Sequence, residues 1–304
     1  MAPIALFVYN RPEALVRTIA SLQANISHQK TDLFVFSDGP KNQFDSENVE
    51  KVRKIVHGIT GFKSIQIIES EQNLGLANSI INGVGKVLSQ FNNIIVLEDD
   101  LIVTSNFIDF MNAALDHFES QQKVFSISGF SFDLKINPDE YKEGYFLNRG
   151  WSWGWATWKN RWVDIDWSVN DYASFSKNNR ARAAFAMGGS DLNSMLDKQM
   201  HGKIDSWAIR WFYSQFKLLG LTYYPIYSKV YNNGFGPHAT HTKFLSKRYL
   251  PNTDKELIHQ FSFPKNAQLS NLPQQKFRMR MGYMARIKSK IEKVIQLCLG
   301  LLKR

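Results

Sequence analysis

Glu98, Asp99 and Asp100 stand side by side directly after the apolar run Ile94-Ile95-Val96-Leu97. Carboxylates this close repel one another and raise each other's pKa, and a divalent cation is the usual remedy. Mg2+ or Mn2+ held by one or two carboxylates commonly bridges substrate phosphates. The apolar run reads as a buried strand. The acids then lie at its carboxyl end, where open α/β sheets bind ligands. The triplet therefore predicts a metal–diphosphate site; the alternative is a solvated acidic turn.

Other residues fall at matching places. Ile4 to Tyr9 reads as a first strand, with Asn10-Arg11-Pro12 at its exit. Arg11 there could pair with a diphosphate or simply start a helix in solvent. Asp38 ends the second strand, where it could accept from a base N–H or serve as a turn aspartate before Gly39-Pro40. Asn73-Leu74-Gly75 follows the third strand; Gly75 would allow close backbone approach, and Asn73 could cap the next helix. Trp151, Trp153, Trp155, Trp158 and Trp162 crowd one stretch. Indoles suit both sugar faces and cores, so one or two are expected in a binding site and the rest inside. Trp151, Trp153 and Trp155 alternate and are expected on one face. Asp205, before Ser206-Trp207, is an N-cap or a general base. His238 and His241 lie in a glycine-bearing loop, from which either could reach a metal or phosphate, or be an ordinary loop histidine.

The elements that must position these residues alternate through the first 130 positions. Leu33-Phe34-Val35-Phe36, Ile65-Gln66-Ile67-Ile68, the run before Glu98 and Val124-Phe125-Ser126-Ile127 read as strands. Between them, helical spacing marks Leu15/Ile19/Leu22, Val49/Val52/Val56, Ile80/Val84/Val87 and Phe107/Met111/Leu115. This implies βαβ units, a mostly parallel central sheet and flanking helices: an α/β fold. After it come the tryptophans, further helices, and strands from Leu221 to Tyr231. Pro251 to Pro273 is polar and proline-bounded, so residues 246–273 read as a loop or linker. Residues 274–304 carry Phe277, Met281, Met284, Ile287, Ile291, Val294, Cys298 and Leu301 at helical steps.

That tail holds nine cations against Glu292 alone, so it supplies +8 of the net +10. A nearly neutral body argues against nucleic acid as a partner, and a basic amphipathic tail suits an anionic lipid surface. Equally, the tail could be a helix packed on the body or on another subunit. The single cysteine, Cys298, permits no intrachain disulfide, which fits a reducing cytosol. No signal peptide and no membrane-length apolar run is visible, so a cytoplasmic protein, with its tail at the inner membrane face, is expected. Neither a Walker lysine loop nor GxGxxG follows the first strand, which argues against P-loop NTPases and dinucleotide dehydrogenases.

The order of these features resembles a GT-A-fold nucleotide-sugar glycosyltransferase. The opening half is similar to bacterial family 2 glycosyltransferases. Over residues 3 to 245 the chain resembles the N-acetylglucosaminyltransferase I family, and it is also similar to bacterial proteins labelled hemolytic. In the former family's pattern Leu97 to Leu101 matches Val-Glu-Asp-Asp-Leu, Ser152 to Trp155 matches Gly-x-Gly-Trp, Asp205-Ser206-Trp207 matches Asp-Asp-Trp, and Thr240-His241 matches Ser-His.

The resemblance implies a Rossmann-like GT-A domain over 1–245, with a nucleotide-binding half (1–130) and an acceptor/sugar half (131–245). It implies Mn2+ or Mg2+ on Asp100, with His241 at the metal or diphosphate. Glu98 and Asp99 would hold the ribose and the metal's surroundings, Asp38 the uracil, and Asp205 would be the catalytic base. Tyr9, Asn10, Arg11, Asn73, Trp153, Gly154 and Trp155 complete the expected donor site. The expected activity is metal-dependent, inverting transfer from a UDP-sugar, UDP-GlcNAc in the nearest pattern, to a hydroxyl of a glycan or lipid-linked glycan. A rival is a membrane-active or interaction protein on an inactive transferase scaffold. A third reading, a nucleotidyltransferase, expects a glycine-rich basic loop that Asn10-Arg11-Pro12 does not supply.

Overall fold

The computed structural model describes residues 1–234, 247–289 and 291. The first elements are β1 (Ile4–Val8), α1 (Pro12–Gln23), β2 (Asp32–Ser37), α2 (Gln43–His57), β3 (Ser64–Glu69), α3 (Leu76–Gln90) and β4 (Asn93–Glu98). Then come β5 (Leu101–Val103), α4 (Phe107–Phe118), β6 (Val124–Ser128), β7 (Tyr145–Leu147) and β8 (Trp155–Trp158). Short helices α5 (Tyr172–Lys177), α6 (Asn179–Phe185) and α7 (Leu192–Met200) lead to α8 (Trp207–Lys217). The last are β9 (Leu221–Tyr224), β10 (Val230–Asn232) and α9 (Asn271–Met281).

Among the described residues one eight-stranded sheet forms the centre, in the order β3-β2-β1-β4-β8-β6-β9-β7. β1 pairs parallel with β2 and β4, and β2 with β3, so the α/β, mostly parallel expectation holds for this half. β6 does not join β4. β8 inserts between them, antiparallel to both, and β7 runs antiparallel at the far edge. β7, β8 and β9, from the second half, thus complete the same sheet as the first half.

Alternation along each strand divides the core into two layers. Leu6, Leu33 and Ile95 face α1, α2 and α4, while Phe7, Phe34, Ile94 and Val96 face α3 and α8. Pro12 opens α1, where its missing N–H costs nothing, and Leu15, Ile19 and Leu22 bury its inner face. β1, β2 and β4 therefore present their carboxyl ends at one edge, flanked by the start of α1 on one face and of α8 on the other.

Residues 247–270 are largely irregular, but they pack as a strap. Its Asp254 is buried in an ion pair with Lys229 and accepts from Asn106 Nδ2 at 2.9 Å. Phe261 and Phe263 set their rings against Phe110. The tail is divided. Phe277 and Met281 are buried on the body, Phe277 edge-on to Phe132, whereas Tyr283 and Met284 are exposed. Lys290 and residues 292–304 lie outside the described residues. No described helix is long and apolar enough to cross a membrane.

Candidate active site at the carboxyl edge of the sheet

β4 ends on Glu98, and Asp99-Asp100 turn the chain into β5. Three contacts pin the turn. Asp99 Oδ2 accepts from the Tyr9 N–H at 3.1 Å, the Asp99 carbonyl accepts from Thr18 Oγ1 at 2.8 Å, and the Asp100 carbonyl accepts from the Asn233 N–H at 2.8 Å. The acidic turn is buried rather than solvated, with Asp99 and Asp100 only 6% and 8% exposed. Arg11 supplies countercharge, its Nη1 2.5 Å from Asp100 Oδ2 and 3.6 Å from Asp99 Oδ1. It is not a free helix-start arginine.

The electrostatics follow from this crowding. Burial, reinforced by Asp100 and Asp99, pushes the Glu98 carboxyl up to about 8 despite Arg11. Burial likewise pushes Asp99 up to about 7, with Arg11 opposing and Asp100 adding to the rise. Burial works against the Arg11 charge, but Asp99 and Asp100 outweigh it and raise its pKa above the ordinary value.

Asp38 organises the neighbouring loops. Its Oδ1 accepts from the N–H groups of Gly39 (2.9 Å) and Leu74 (2.8 Å). Its Oδ2 accepts from the Gly75 N–H (3.0 Å) and Asn73 Nδ2 (3.1 Å). A carboxylate offers about four acceptor directions, so these bonds fill it, and Asp38 shapes the expected base pocket more than it offers a free acceptor. Asn73 does not cap α3. The cap is Gly75, at φ +76°, and Asn73 instead bridges Asp38 and the Gly39 carbonyl.

Tyr9 and Asn10 converge on a residue that sequence reasoning missed. The Tyr9 hydroxyl donates to Asp45 Oδ2 (2.9 Å) and Asn10 Nδ2 donates to Asp45 Oδ1 (2.8 Å). Burial foremost, with Asp45 adding, pushes the Tyr9 hydroxyl up to about 12. Asp45 lies in the first turn of α2, and nothing in its local pattern separates it from an ordinary helix-start acid.

The tryptophans of this stretch divide by burial. Trp151, Trp155, Trp158 and Trp162 are buried; Trp153 is not. Trp153 lies edge-on to Phe130 at 4.8 Å and 5.8 Å from the Tyr249 ring. Trp155, expected in the donor site, is only 1% exposed. Its ring packs among Trp162, Trp207 and Trp211 on the opposite face of the sheet. Gly154 breaks the expected alternation by adopting φ +63°. It also packs so closely that a Cβ there would lie 2.7 Å from Val230 Cγ2 and 3.3 Å from Leu97 Cδ2.

Asp205 is not the cap of α8. Ser206 is, its hydroxyl accepting from the Ile209 N–H at 3.4 Å. Asp205 projects from the edge, its side chain 59% exposed and 3.3 Å from Arg210. A Cβ at Gly75 would lie 4.0 Å from Asp205 Oδ2, so the acid stands over the Asp38 loop. Asp205 thus stands at the Asp38–Gly75 loop, while the Arg11–Asp100 pair lies at the start of α1. Arg210 gave no sequence signal of its own. His238 and His241 lie outside the described residues.

Among the described residues no three His, Cys, Asp or Glu side chains converge to hold a metal ion unaided. Asp100 with Asp99 offers hard carboxylate oxygens of the kind Mg2+ and Mn2+ take, and such ions usually complete their shell with phosphates and water.

Comparison with known proteins adds the following. The family model described as "Glycosyl transferase family 2" matches residues 4–162. No curated protein matches. Among solved structures, a mannosyltransferase from Pyrobaculum calidifontis in complex with GDP-Man and Mn2+ is 11% identical, with a TM-score of 0.38 over 52% of this chain and 45% of that one. S. aureus TarS 1-349 is 11% identical, with a TM-score of 0.40 over 76% of this chain and 60% of that one. The chain spans less than two thirds of the length of either.

Proposed function

We propose a function from one premise: the chain belongs to glycosyl transferase family 2. It transfers a sugar from a UDP-sugar, UDP-GlcNAc by resemblance, to a hydroxyl of a glycan or lipid-linked glycan. The observation that carries this reading is the pair of acidic groups at one sheet edge. Asp100, held by Arg11, lies on the α1 side, and Asp205 lies on the α8 side.

The donor's uridine lies over the Asp38–Asn73–Gly75 loop, walled by Tyr9, and its diphosphate lies toward Arg11 and the start of α1. An uncapped helix N-terminus and an arginine both favour phosphate. The donor set at Asp100 and Asp99 fits Mn2+ or Mg2+, which when bound neutralises charge on the departing diphosphate. Asp205 takes the proton of the acceptor hydroxyl. The acceptor oxygen bonds to the sugar's anomeric carbon, the bond to the β-phosphate oxygen breaks, and its electron pair leaves with UDP. Attack from the face opposite the leaving group inverts the anomeric centre. Arg210 orients Asp205, and Trp153 offers a half-buried indole beside the transferred sugar.

The tail supports a peripheral contact with anionic lipid near the acceptor. Met279, Tyr283, Met284 and Ile291 are exposed together with Arg278 and Lys288. Calorimetry of nucleotide sugars against the full chain, with and without Mn2+, tests the donor reading. Heat with a UDP-sugar that depends on Mn2+ is expected; silence toward every nucleotide sugar would remove it.

A further inference from the structure

Arg11 holds the place a cation would take. Its Nη1 rests on the Asp100 oxygen at 2.5 Å and is 3.6 Å from Asp99. A guanidinium and a divalent ion compete for the same carboxylate lone pairs and repel each other as like charges. The Asp99 and Asp100 side chains are nearly covered, while that of Arg11 is about a quarter exposed, so it stands on their more open side. A place that favours an anion adjoins it. Arg11 is the N-cap of the 12-residue α1, and no side chain caps that helix's first N–H groups.

We propose that Arg11 is a resident countercharge over the acidic turn and that a nucleoside diphosphate, not the metal, displaces it. The inference rests on the donor reading above and adds a binding order to it. A divalent ion alone must compete with the ion pair, so its apparent affinity is cut by the small fraction of molecules with Asp100 free. A diphosphate gives Arg11 a bidentate partner at the α1 terminus and frees Asp100 in the same movement. Metal and nucleotide then bind synergistically, each raising the affinity of the other by the same factor.

The test is Mn2+ titration of the full chain, read by the loss of the free-ion electron paramagnetic resonance signal. It is run with and without UDP and corrected for Mn2+ held by free UDP. In the wild type, UDP should tighten Mn2+ binding about ten-fold or more. Arg11→Met should bind Mn2+ alone about ten-fold more tightly than the wild type and gain less from UDP than the wild type does. Arg11→Lys, which keeps the charge, should resemble the wild type without UDP and covers a loss of folding in Arg11→Met. Arg11→Met binding Mn2+ alone no tighter than the wild type, while UDP still enhances both, would overturn the inference and leave the donor reading standing. Equal wild-type affinity with and without UDP would also overturn it. Absence of Mn2+ binding in every protein, UDP included, would remove the donor–metal reading as well.

Discussion

The Gly75 N–H donates to Asp38 Oδ2 at 3.0 Å, so a carboxylate at the end of β2 fixes the loop that opens α3. The same carboxylate holds Asn73 and Leu74, and Asp205 stands above Gly75. One buried side chain therefore connects the expected uracil pocket to the proposed catalytic base, Asp205.

Replacing Asp38 should loosen that loop. Asp38→Ala leaves one buried and three part-buried donors unpaired, at roughly 1–3 kcal/mol each where water cannot replace the acid. Denaturant unfolding should show a loss of at least about 2 kcal/mol, and UDP binding should weaken. An unchanged midpoint would mean that the four bonds do not hold the loop.

The two central tryptophans should separate in their effects. Trp155→Ala empties a core position and should cost about 3–5 kcal/mol. Trp153→Ala should cost far less stability and instead raise KM for the donor or acceptor. If both variants lose only stability, Trp153 has no part in the site.

Gly154→Ala should be poorly tolerated for two reasons. A left-handed backbone costs a non-glycine residue roughly 1–2 kcal/mol, and the added methyl meets Val230 and Leu97. A loss of about 2 kcal/mol or more in chemical unfolding is expected. Wild-type stability would contradict the turned geometry that sends Trp153 and Trp155 to opposite faces.

Asp191 gives the fold an acid-sensitive clasp. Burial alone would raise its pKa, but Arg149, at 2.9 Å, and Arg286, at 3.3 Å, outweigh burial and hold it at about 2. Its unfolded value is near 4. The pair's contribution is therefore complete above about pH 4 and disappears as pH falls toward 2, a loss on the order of 2–3 kcal/mol. Asp191→Asn should flatten that part of the stability–pH profile; an unaltered slope would assign acid unfolding elsewhere.

Much of the architecture was legible because strand and helix periods alternate cleanly up to Ser128, and because an acidic triplet after an apolar run has few structural uses. The rest depends on contacts distant in sequence. β8 enters between β4 and β6 because residues 155–158 find both strands in space, and no local period announces that. Trp155 turns inward through one backbone angle at Gly154. Asp45 and Arg210 act through partners 36 and 5 positions away and look like ordinary helix residues. Arg11 was expected at phosphate, yet its closeness to Asp100 emerges only when β1 and β4 pair.

Asp205→Asn separates binding from chemistry. Calorimetry should show UDP binding unchanged, while transfer falls by roughly two to four orders of magnitude, the usual worth of a positioned base. Normal transfer would move the base to another residue.

The most direct measurement is calorimetric titration of UDP into the wild type and Asp100→Ala, each with Mn2+ present and with Mn2+ chelated. The wild type should bind UDP more tightly with Mn2+, and Asp100→Ala should bind it equally weakly in both conditions. Identical, Mn2+-enhanced binding by the two proteins would contradict an acidic turn that receives the metal and diphosphate.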